Sequence, residues 1–443
     1  MSRSIGIYGK SAINGQVNLP GDKSISHRVA MLASVAQGRS RIRNFASSAD
    51  CHATLECVRR LGISVESTDG EMIIHGQGLG GLAPATLPAM LDAQNSGSTI
   101  RMISGILAGQ RFRSVIDGDA SLRRRPMRRI IEPLTLMGAE VTARDDNYAP
   151  LAISGGALHA IDYASRVASA QVKTCVLFAG LYADGCTSFR EPSLSRNHSE
   201  LMLAEFGARL HREADGTLII EGGAELSAVD YRVPGDVSSA AFFIAGACAL
   251  AGAEVRLAGV NLNPTRNGFL DVLNRLGAKI ETHNLRSEHS EPVGDLLVSG
   301  SQLKTEARGL VLEGAIIPNI IDEIPILAVL ATQVEGRVEV RGAHELRIKE
   351  SDRIKTVVDG IRAMGGAIDE FDDGFSVAGP QRLSGARIET EGDHRIAMAF
   401  AIAGLMAEGE TEIVDADCAA VSFPEFYDTL TTLAGEGRVS RLI

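Results

Sequence analysis

Apolar segments closed by glycine recur along the chain in two alternating sets. The segments of the first set are strongly apolar and end at Gly38, Gly109, Gly185, Gly252, Gly336 and Gly409. Those of the second set are amphipathic and end at Gly62, Gly138, Gly207, Gly277, Gly365 and Gly435. Glycine adopts the left-handed conformation that closes many helices. Each set repeats at intervals of roughly 70 to 90 residues, which predicts repeated supersecondary units. We therefore predict six copies of a helix–strand–helix–strand unit.

The repeats predict an α/β fold with three units in each of two lobes. Runs such as Arg39–Phe45 and Arg337–Arg341 have the composition of strands, and they follow the apolar helices. Two Pro-Gly turns, at Pro20-Gly21 and Pro234-Gly235, mark the expected boundaries. We expect an N-terminal lobe of residues 21–234, and a C-terminal lobe that combines residues 1–20 with residues 235–443.

Composition and charge narrow the class of protein. The chain has 443 residues, a formal net charge of −11 and six cysteines without zinc-site spacing. The negative charge argues against a nucleic-acid partner, which would need a broad basic face. The longest apolar run, Ala240–Ala253, is shorter than the ~20 residues of a membrane span. We expect a cytoplasmic protein with unpaired cysteines, no membrane partner, no metal and no organic cofactor.

Polar clusters precede the first helix of every repeat. They are Asp22–Arg28, Asn95–Arg101, Ser169–Lys173, Asp236–Ser239, Ile321–Pro325 and Asp393–Arg395. Ser, Asp and Asn at such positions are also ordinary helix caps, and capping remains the alternative explanation for several of them. Capping does not explain Lys23, Arg28, Arg101 and Arg395, because cations oppose the positive end of the helix dipole. These cations predict an anionic ligand.

Two further stretches are rich in cations. Ser121–Arg129 carries five arginines, and a solvated surface is its alternative interpretation. Glu345–Arg353 mixes both signs of charge. The spacing of Lys349 and Arg353 predicts one helix face, with Glu350 and Asp352 beside them. A salt-bridged surface helix is the alternative there.

The clusters together resemble the signatures of the EPSP synthase family of enolpyruvyl transferases. The resemblance covers nearly the whole chain and rests on Asp22–Arg28, Asn95–Arg101, Arg125-Pro-Met127, Ser169-Ala-Gln171, Lys349–Arg353 and Asp393–Met398. Ser169-Ala-Gln171 and Ile321–Pro325 are similar to the branch called class II. The resemblance implies two lobes, each an inside-out α/β barrel with buried helices and outer sheets, and substrates bound in the cleft between them.

The resemblance also implies residue roles in the transfer of an enolpyruvyl group from phosphoenolpyruvate to the 5-hydroxyl of shikimate-3-phosphate, a step of aromatic amino acid biosynthesis. Shikimate-3-phosphate would be bound by Lys23, Ser24, Arg28, Ser169, Ala170, Gln171, Arg196, Asp322 and Lys349. Phosphoenolpyruvate would be bound by Lys23, Gly97, Arg125, Gln171, Glu350, Arg353 and Arg395. The cations would offset the repulsion between two multiply charged anions in one site.

The family reaction proceeds by addition and elimination, and it needs a base for the hydroxyl and an acid for carbon. We assign Asp322 as the base, with capping of a helix over 324–333 as the alternative, and Glu350 as the acid, assisted by Lys23. Many family members carry a lysine where this chain has Val421, so the phosphate contact of that lysine is absent here or is made by another residue. Gly97 implies inhibition by glyphosate at the phosphoenolpyruvate site, and we expect a monomer.

Two alternatives belong to other classes of function. The sister enzyme, UDP-N-acetylglucosamine enolpyruvyl transferase, usually has a reactive cysteine before its Arg-Pro motif. Here no cysteine occurs between Cys57 and Cys175. A non-catalytic anion-binding scaffold would not need the acidic residues Asp322 and Glu350 among the cations.

Overall fold

The computed structural model describes residues 3–9, 11–68 and 70–442. Its helices are α1 (Lys23–Val35), α2 (Ala49–Arg60), α3 (Gly97–Ala108), α4 (Arg128–Leu136), α5 (Ala170–Gly180), α6 (His198–Glu205), α7 (Val237–Ala249), α8 (Gly268–Arg275), α9 (Ile317–Ile320), α10 (Ile324–Ala331), α11 (Arg353–Ala363), α12 (His394–Met406) and α13 (Phe426–Ala434). Short 3₁₀ helices span Leu122–Arg124, Gly314–Ile316, His344–Ile348 and Ala416–Val421.

The strands within these ranges are as follows, in chain order. They are β1 (Ser4–Tyr8), β2 (Asn14–Val17), β3 (Gln37–Arg43), β4 (Ser64–Thr68), β5 (Glu71–Gln77), β6 (Ala89–Asp92), β7 (Arg113–Asp117), β8 (Glu140–Arg144), β9 (Tyr148–Ser154), β10 (Leu158–His159), β11 (Asp162–Ala164), β12 (Ala183–Asp184), β13 (Cys186–Arg190), β14 (Leu210–Arg212), β15 (Leu218–Glu221), β16 (Asp230–Arg232), β17 (Glu254–Asn261), β18 (Lys279–Glu288), β19 (Glu291–Ser299), β20 (Leu310–Leu312), β21 (Gly336–Val340), β22 (Asp369–Phe371), β23 (Gly374–Gly379), β24 (Arg387–Ile388), β25 (Glu410–Ile413) and β26 (Val439–Leu442).

One strand order recurs in the four-stranded sheets. The orders are β16-β3-β5-β4, β6-β7-β9-β8, β11-β13-β15-β14, β2-β17-β19-β18, β20-β21-β23-β22 and β24-β25-β1-β26. A short strand pairs in parallel with the strand that follows the buried helix, as β16 does with β3. An antiparallel hairpin completes the sheet, as β5 and β4 do beside β3. The predicted sixfold repeat is therefore confirmed. The prediction of a single strand after the second helix is wrong, because that segment forms a hairpin and a short parallel strand.

The chain divides into two compact units. One comprises Met1–Pro20, Pro234–Ser287 and Pro292–Ile443, and the other comprises Gly21–Val233 with Glu288–Glu291. We call them the C-terminal unit and the N-terminal unit. Each unit holds three of the four-stranded sheets. The short parallel strand at the end of one repeat pairs with the sheet of the next repeat, as β6 does with β7. The last short strand of the N-terminal unit, β16, returns to the first sheet, so its three sheets form a closed cycle.

The first helix of each repeat is buried on all sides. Every residue of Ile25–Val35 in α1, Val237–Cys248 in α7 and His394–Leu405 in α12 is buried. A helix that is apolar all round belongs in a core rather than on a surface. The hairpins face solvent instead, and β4 is largely exposed. Each unit thus has helices inside and sheets outside, as the sequence analysis expected.

Glycine permits the closest approach between two core helices. A Cβ atom on Gly105 of α3 would lie 2.2 Å from the backbone oxygen of Cys175 in α5. That distance is shorter than any real contact of this type, so a side chain would force the helices apart. The residue at this crossing therefore sets the distance between α3 and α5.

Residues near the start of the chain complete the C-terminal unit. Strand β1 lies between β25 and β26, with Ile5 opposite Ile413. Strand β2 pairs in parallel with β17, with Val17 opposite Leu257. These two strands fill the positions that a hairpin strand and a linking strand occupy in the other repeats, which explains why the unit needs a discontinuous chain.

Among the described residues, no single helix has both the length and the apolar character to cross a membrane. Gly314–Ile320 and Ile324–Ala331 pass that test only as a bent pair.

Candidate active site

Three helices of the N-terminal unit begin beside one another. Their caps are the side chains of Asp22, Ser96 and Ser169, which accept backbone hydrogen bonds from the first turns of α1, α3 and α5. Arg28 of α1 donates to Thr174 of α5 at 3.0 Å. Arg101 of α3 donates to Gln171 of α5 at 2.9 Å. The positive ends of three helix dipoles therefore converge, which favours an anion.

Lys23 is the first residue of α1, and its side chain is partly buried. Its Nζ atom lies 3.0 Å from Oδ2 of Asp50, at the start of α2. Ser24 follows in the same turn, and its backbone oxygen accepts from Arg28 at 2.7 Å. A cation at this position opposes the helix dipole, so a carboxylate neighbour offsets part of the cost.

Arg28 is held from several directions and has a second guanidinium near it. Its Nε atom donates to Ser199 at 2.7 Å, and the side chain is buried. Burial lowers the pKa of Arg28 to about 10, and the positive charge of Arg196 adds to this shift. Two guanidinium groups that repel each other are stabilised by an anion between them. Arg196 lies in the loop between β13 and α6.

His27 is a buried neighbour of these cations. Its Nδ1 atom lies 2.7 Å from Oγ1 of Thr54. Burial lowers the pKa of His27 well below its usual value of 6.5, and the charges of Lys23 and Arg28 lower it further. The imidazole is therefore neutral at physiological pH.

Gly97 begins α3 and faces two arginines. A Cβ atom there would lie 2.8 Å from Nη1 of Arg101 and 3.4 Å from Nη1 of Arg125. Arg125 follows the short helix Leu122–Arg124, and its guanidinium donates to Asn95 at 2.7 Å. The structure thus brings Gly97, Arg101, Arg125 and Gln171 together beside the first turns of α3 and α5.

The remaining predicted residues of this unit lie in the same region. Ser169 caps α5, and Ala170 is the first residue of that helix. The Gln171 amide nitrogen donates to Ser98 of α3 at 3.0 Å, so the side chain is fixed at both ends.

Arg353 is the centre of the candidate site in the C-terminal unit. Its guanidinium lies 2.8 Å from Asp393, 2.7 Å from Glu350 and 3.5 Å from Asp322. Burial disfavours the charge of Arg353, but the three carboxylates outweigh burial and raise its pKa above the usual value. Arg353 therefore keeps its charge and gathers both acidic candidates, Asp322 and Glu350.

Asp393 joins this cluster to the start of α12. It caps that helix by accepting from the backbone nitrogen of Arg395 at 2.9 Å. The same carboxylate accepts from Ser351 at 3.1 Å. Arg395 is buried in the first turn of α12, with its cation near the positive end of the helix.

One local prediction for this unit is wrong, and the alternative explanation for Asp322 is excluded. Lys349 and Arg353 do not share a helix, because α11 begins only at Arg353, with Asp352 as its cap. Lys349 instead pairs with Glu345 at 3.1 Å. Asp322 is not the cap of α10, because Glu323 occupies the N-cap position. The side chain of Glu323 makes no capping hydrogen bond there. The Asp322 carboxylate is left to interact with Arg353.

Sequence reasoning missed two buried cations. Arg266 lies 3.2 Å from Glu323 and 3.4 Å from Asp236, and it donates to Ser238 at 2.5 Å. Ser238 also donates to Glu323. Lys173 of α5 forms a second such cluster with acidic partners. A fully buried charge is rare in sequence statistics, and its partners lie far away along the chain, so neither pattern is visible in a local window.

Within the described ranges, no group of three or more His, Cys, Asp or Glu side chains is arranged to hold a metal ion.

The cluster at the first turns of α1, α3 and α5 and the cluster around Arg353 define the class of protein. It is an α/β protein that binds small, multiply charged anions at the N-termini of buried helices, with carboxylates beside the cations. The sequence model of EPSP synthase (3-phosphoshikimate 1-carboxyvinyltransferase) matches residues 7–430. The chain belongs to the EPSP synthase family, which confirms the resemblance read from its motifs.

Relatives and solved structures agree. The 3-phosphoshikimate 1-carboxyvinyltransferase of Solibacter usitatus is 51% identical over 96% of this chain and 98% of its own length. That of Desulforamulus reducens is 49% identical over 94% of this chain and 96% of its own. A solved EPSP synthase of Acinetobacter baumannii is 40% identical, covers 100% of both chains and has a TM-score of 0.87. The predicted α/β fold class is thereby confirmed.

Proposed function

We propose that this protein transfers the enolpyruvyl group of phosphoenolpyruvate to the 5-hydroxyl of shikimate-3-phosphate and releases inorganic phosphate. The observation that carries the proposal is that each unit gathers cations and carboxylates at the first turns of buried helices, the N-terminal unit at α1, α3 and α5 and the C-terminal unit at α12. Two phosphorylated substrates need cations, and the chemistry needs an acid and a base. Membership of the family and the names of relatives at about half identity support the same reaction.

The N-terminal unit would supply most of the contacts to shikimate-3-phosphate. Arg28 and Arg196 repel each other and suit a phosphate group, because bidentate guanidinium contacts to phosphate are strong. Lys23, Ser24 and the Ser169-Ala-Gln171 turn would bind the same substrate. Asp322 and Lys349 are the contributions we propose from the C-terminal unit.

Phosphoenolpyruvate would use the second group of cations. Arg125, Gln171 and Lys23 would bind it together with the backbone at Gly97, and Arg353 and Arg395 would bind it from the C-terminal unit. Arg353 holds three carboxylates before substrate arrives. An anionic substrate at Arg353 would therefore loosen its hold on Asp322 and Glu350 and make both available for proton transfer.

The reaction has two balanced steps. In the first, the substrate hydroxyl adds to C2 of phosphoenolpyruvate, its proton passes to Asp322, and C3 gains a proton from Glu350 with help from Lys23. In the second, C3 returns its proton to Glu350, the C2–O bond to phosphate breaks as the C2–C3 double bond re-forms, and phosphate leaves with the proton held by Asp322. Acid–base catalysis of this kind contributes about 10²- to 10⁴-fold to a rate.

The first experiment measures phosphate release from phosphoenolpyruvate with shikimate-3-phosphate, with UDP-N-acetylglucosamine and with no acceptor. Release only with shikimate-3-phosphate supports the proposal. Release only with the sugar nucleotide would assign the chain to the sister reaction. Release with neither would leave an anion-binding protein without this activity.

The proposed base is tested by Asp322→Ala. The variant should still bind both substrates, with a lower affinity for shikimate-3-phosphate because one proposed contact is lost, and should lose about 10²- to 10⁴-fold in turnover at saturating substrate. Asp359→Ala is a matched control, since Asp359 is a half-exposed carboxylate that pairs with Lys355 on the outside of α11. Turnover of Asp322→Ala within a few-fold of the control would exclude Asp322 as the base.

Further expectations follow from the same function. We expect glyphosate to compete with phosphoenolpyruvate, because Gly97 leaves space beside Arg101 and Arg125. All six cysteines are free, which fits a reducing compartment, and we expect the reaction to take place in the cytoplasm. We expect a monomer, which light scattering can test.

A further inference from the structure

Lys173 is a fully buried lysine in the middle of the N-terminal unit. It lies one turn after the cap of α5, and its side chain has no exposed area. Its Nζ atom contacts Glu191 at 3.0 Å, Glu200 at 2.9 Å and the backbone oxygen of Ser195 at 3.1 Å. None of the roles proposed above uses this residue.

The contacts of Lys173 converge on the loop of residues 191–197, which joins β13 to α6. Glu191 accepts from the backbone nitrogen of Ser195 at 3.0 Å with the same oxygen that contacts Lys173. Lys173 and Glu191 therefore hold both backbone groups of Ser195. The next residue in the chain is Arg196, so the direction in which Arg196 leaves the loop depends on this arrangement.

Burial of the Lys173 ammonium group costs solvation free energy, and a contribution to stability does not by itself explain why a lysine occupies this position. A lysine ammonium group taken out of water must recover its solvation from partners, and apolar residues of similar volume often replace buried ion pairs without loss of stability. A buried Lys173 with two carboxylates is therefore better understood through the geometry it fixes. The geometry it fixes here is that of Ser195 and, through it, Arg196.

Arg196 also needs to be held because of its neighbour. Arg28 is buried and is fixed by Ser24, Thr174 and Ser199. The positive charge of Arg196 disfavours that of Arg28, and the carboxylates of Glu200, Asp22 and Glu291 offset only part of the cost of the buried charge, because the pKa of Arg28 is still lowered. A movement of the loop would change the distance between the two guanidinium groups. A rigid loop keeps both cations ready for a phosphate group and lowers the cost of ordering them on binding.

We propose that Lys173 is a positioning residue that fixes the 191–197 loop and thereby directs Arg196 to the phosphate group of the acceptor substrate. The proposal rests on the proposed function, because it takes shikimate-3-phosphate as the ligand of Arg28 and Arg196. Lys173 itself touches no substrate, and its effect passes through Ser195.

The test compares binding of shikimate-3-phosphate and of shikimate, which lacks the phosphate group, by calorimetry. Lys173→Met should weaken binding of shikimate-3-phosphate by about tenfold or more, the loss expected for one charged hydrogen bond. Binding of shikimate should change by less than about twofold, because the missing contact is one to phosphate. The KM for phosphoenolpyruvate and the kcat at saturation should stay near their original values.

Arg212→Gln is the matched control. Arg212 contacts Glu200 at 3.1 Å and the backbone oxygen of Gly216 at 2.8 Å, and neither partner belongs to the 191–197 loop. The control disturbs the same acidic cluster without touching Ser195, so it should bind both ligands normally. If Lys173→Met does not fold, the double variant Lys173→Met with Glu200→Gln removes one of the two carboxylate charges that faced Lys173 and is measured in its place.

Two results would overturn the inference. An equal loss of affinity for shikimate and shikimate-3-phosphate would indicate a general structural effect. Unchanged affinity for shikimate-3-phosphate would show that Arg196 does not depend on Lys173. The unsubstituted protein is titrated first, so a failure of the proposed function appears there, as absent binding of shikimate-3-phosphate, before any variant is compared.

Discussion

Replacement of Gly97 by alanine adds one methyl group beside two guanidinium groups. The new Cβ atom would lie 2.8 Å from Nη1 of Arg101, whereas ordinary contacts of this type begin at 3.4 Å. Arg101 must therefore move by 3.4 − 2.8 = 0.6 Å. Gly97 has an ordinary helical backbone conformation, so alanine causes no backbone strain, and the effect falls on the arginines.

The displacement has a calculable consequence for substrate binding. The same Nη1 atom of Arg101 donates to Gln171 at 2.9 Å, and a shift of this size directed away from Gln171 would lengthen the bond to about 3.5 Å, beyond the usual range. A hydrogen bond to a charged group contributes about 1.5–3 kcal/mol, which corresponds to about 10- to 150-fold in affinity. Because Gln171 is a proposed contact of phosphoenolpyruvate, we expect Gly97→Ala to raise the KM for phosphoenolpyruvate about tenfold or more and to change kcat little.

Glyphosate should be affected more than phosphoenolpyruvate. Its chain holds one more atom between the carboxylate and the phosphorus, so it has less room to adjust to the methyl group. The assay is steady-state phosphate release over a matrix of phosphoenolpyruvate and glyphosate concentrations. Gly156→Ala is the matched control, since a Cβ atom on Gly156 would meet no neighbour within 4 Å. Unchanged KM and unchanged inhibition in Gly97→Ala would refute the reasoning.

Three further predictions concern stability. Because the pKa of His27 is lowered in the native state, the unfolded chain takes up a proton more readily than the native one below pH 6.5. The free energy of unfolding should therefore fall as pH drops from about 6.5, by up to about 1.4 kcal/mol per pH unit. Urea unfolding of His27→Gln between pH 7 and 5 should show a smaller change of this free energy with pH. Arg266→Met leaves Glu323 buried without its cation, and calorimetry should show a loss of about 3–5 kcal/mol, part of which Glu323→Gln restores in the double variant. Gly105→Ala forces a methyl group against the backbone of Cys175 and should cost about 1–3 kcal/mol, seen as a lower Tm; an unchanged Tm would mean that α3 and α5 separate freely.

The sequence predicted the repeat because its signal is physical and local. Helices buried on all sides must be apolar all round, so six apolar runs are visible without a structure. The second helices are followed by glycines with positive φ, such as Gly62 and Gly138, and these are also visible in the sequence. The hairpins were missed because one strand of several of them lies on the exposed face and has few apolar residues. The segment Ser64–Thr68 is mostly exposed and carries no alternation of apolar and polar residues.

Side-chain roles were predictable only where the charge conflicted with its local environment. Lys23 and Arg28 stand at helix N-termini, where cations are unfavourable, and this conflict indicated an anion. Lys173 stands in the same kind of position in α5, but its charge is offset by carboxylates of the protein. Arg266 gave no such signal. The partner of Arg266 lies 57 residues away, and only folding brings the charges together.

Strand β1 has a consequence for the order of events during synthesis. Ile5 emerges from the ribosome long before its partner Ile413 exists. At about 5–20 residues per second, the intervening 408 residues take roughly 20 to 80 seconds to make. Once residue 233 has been made, the continuous stretch of the N-terminal unit can fold, and β2 gains its partner when β17 is made. Strand β1 remains an unpaired strand edge until β25 is made. Such an edge is a template for wrong pairing, so we expect β1 to be exposed to aggregation in the nascent chain, and a circular permutant that moves residues 4–17 behind β26 should shorten that exposure.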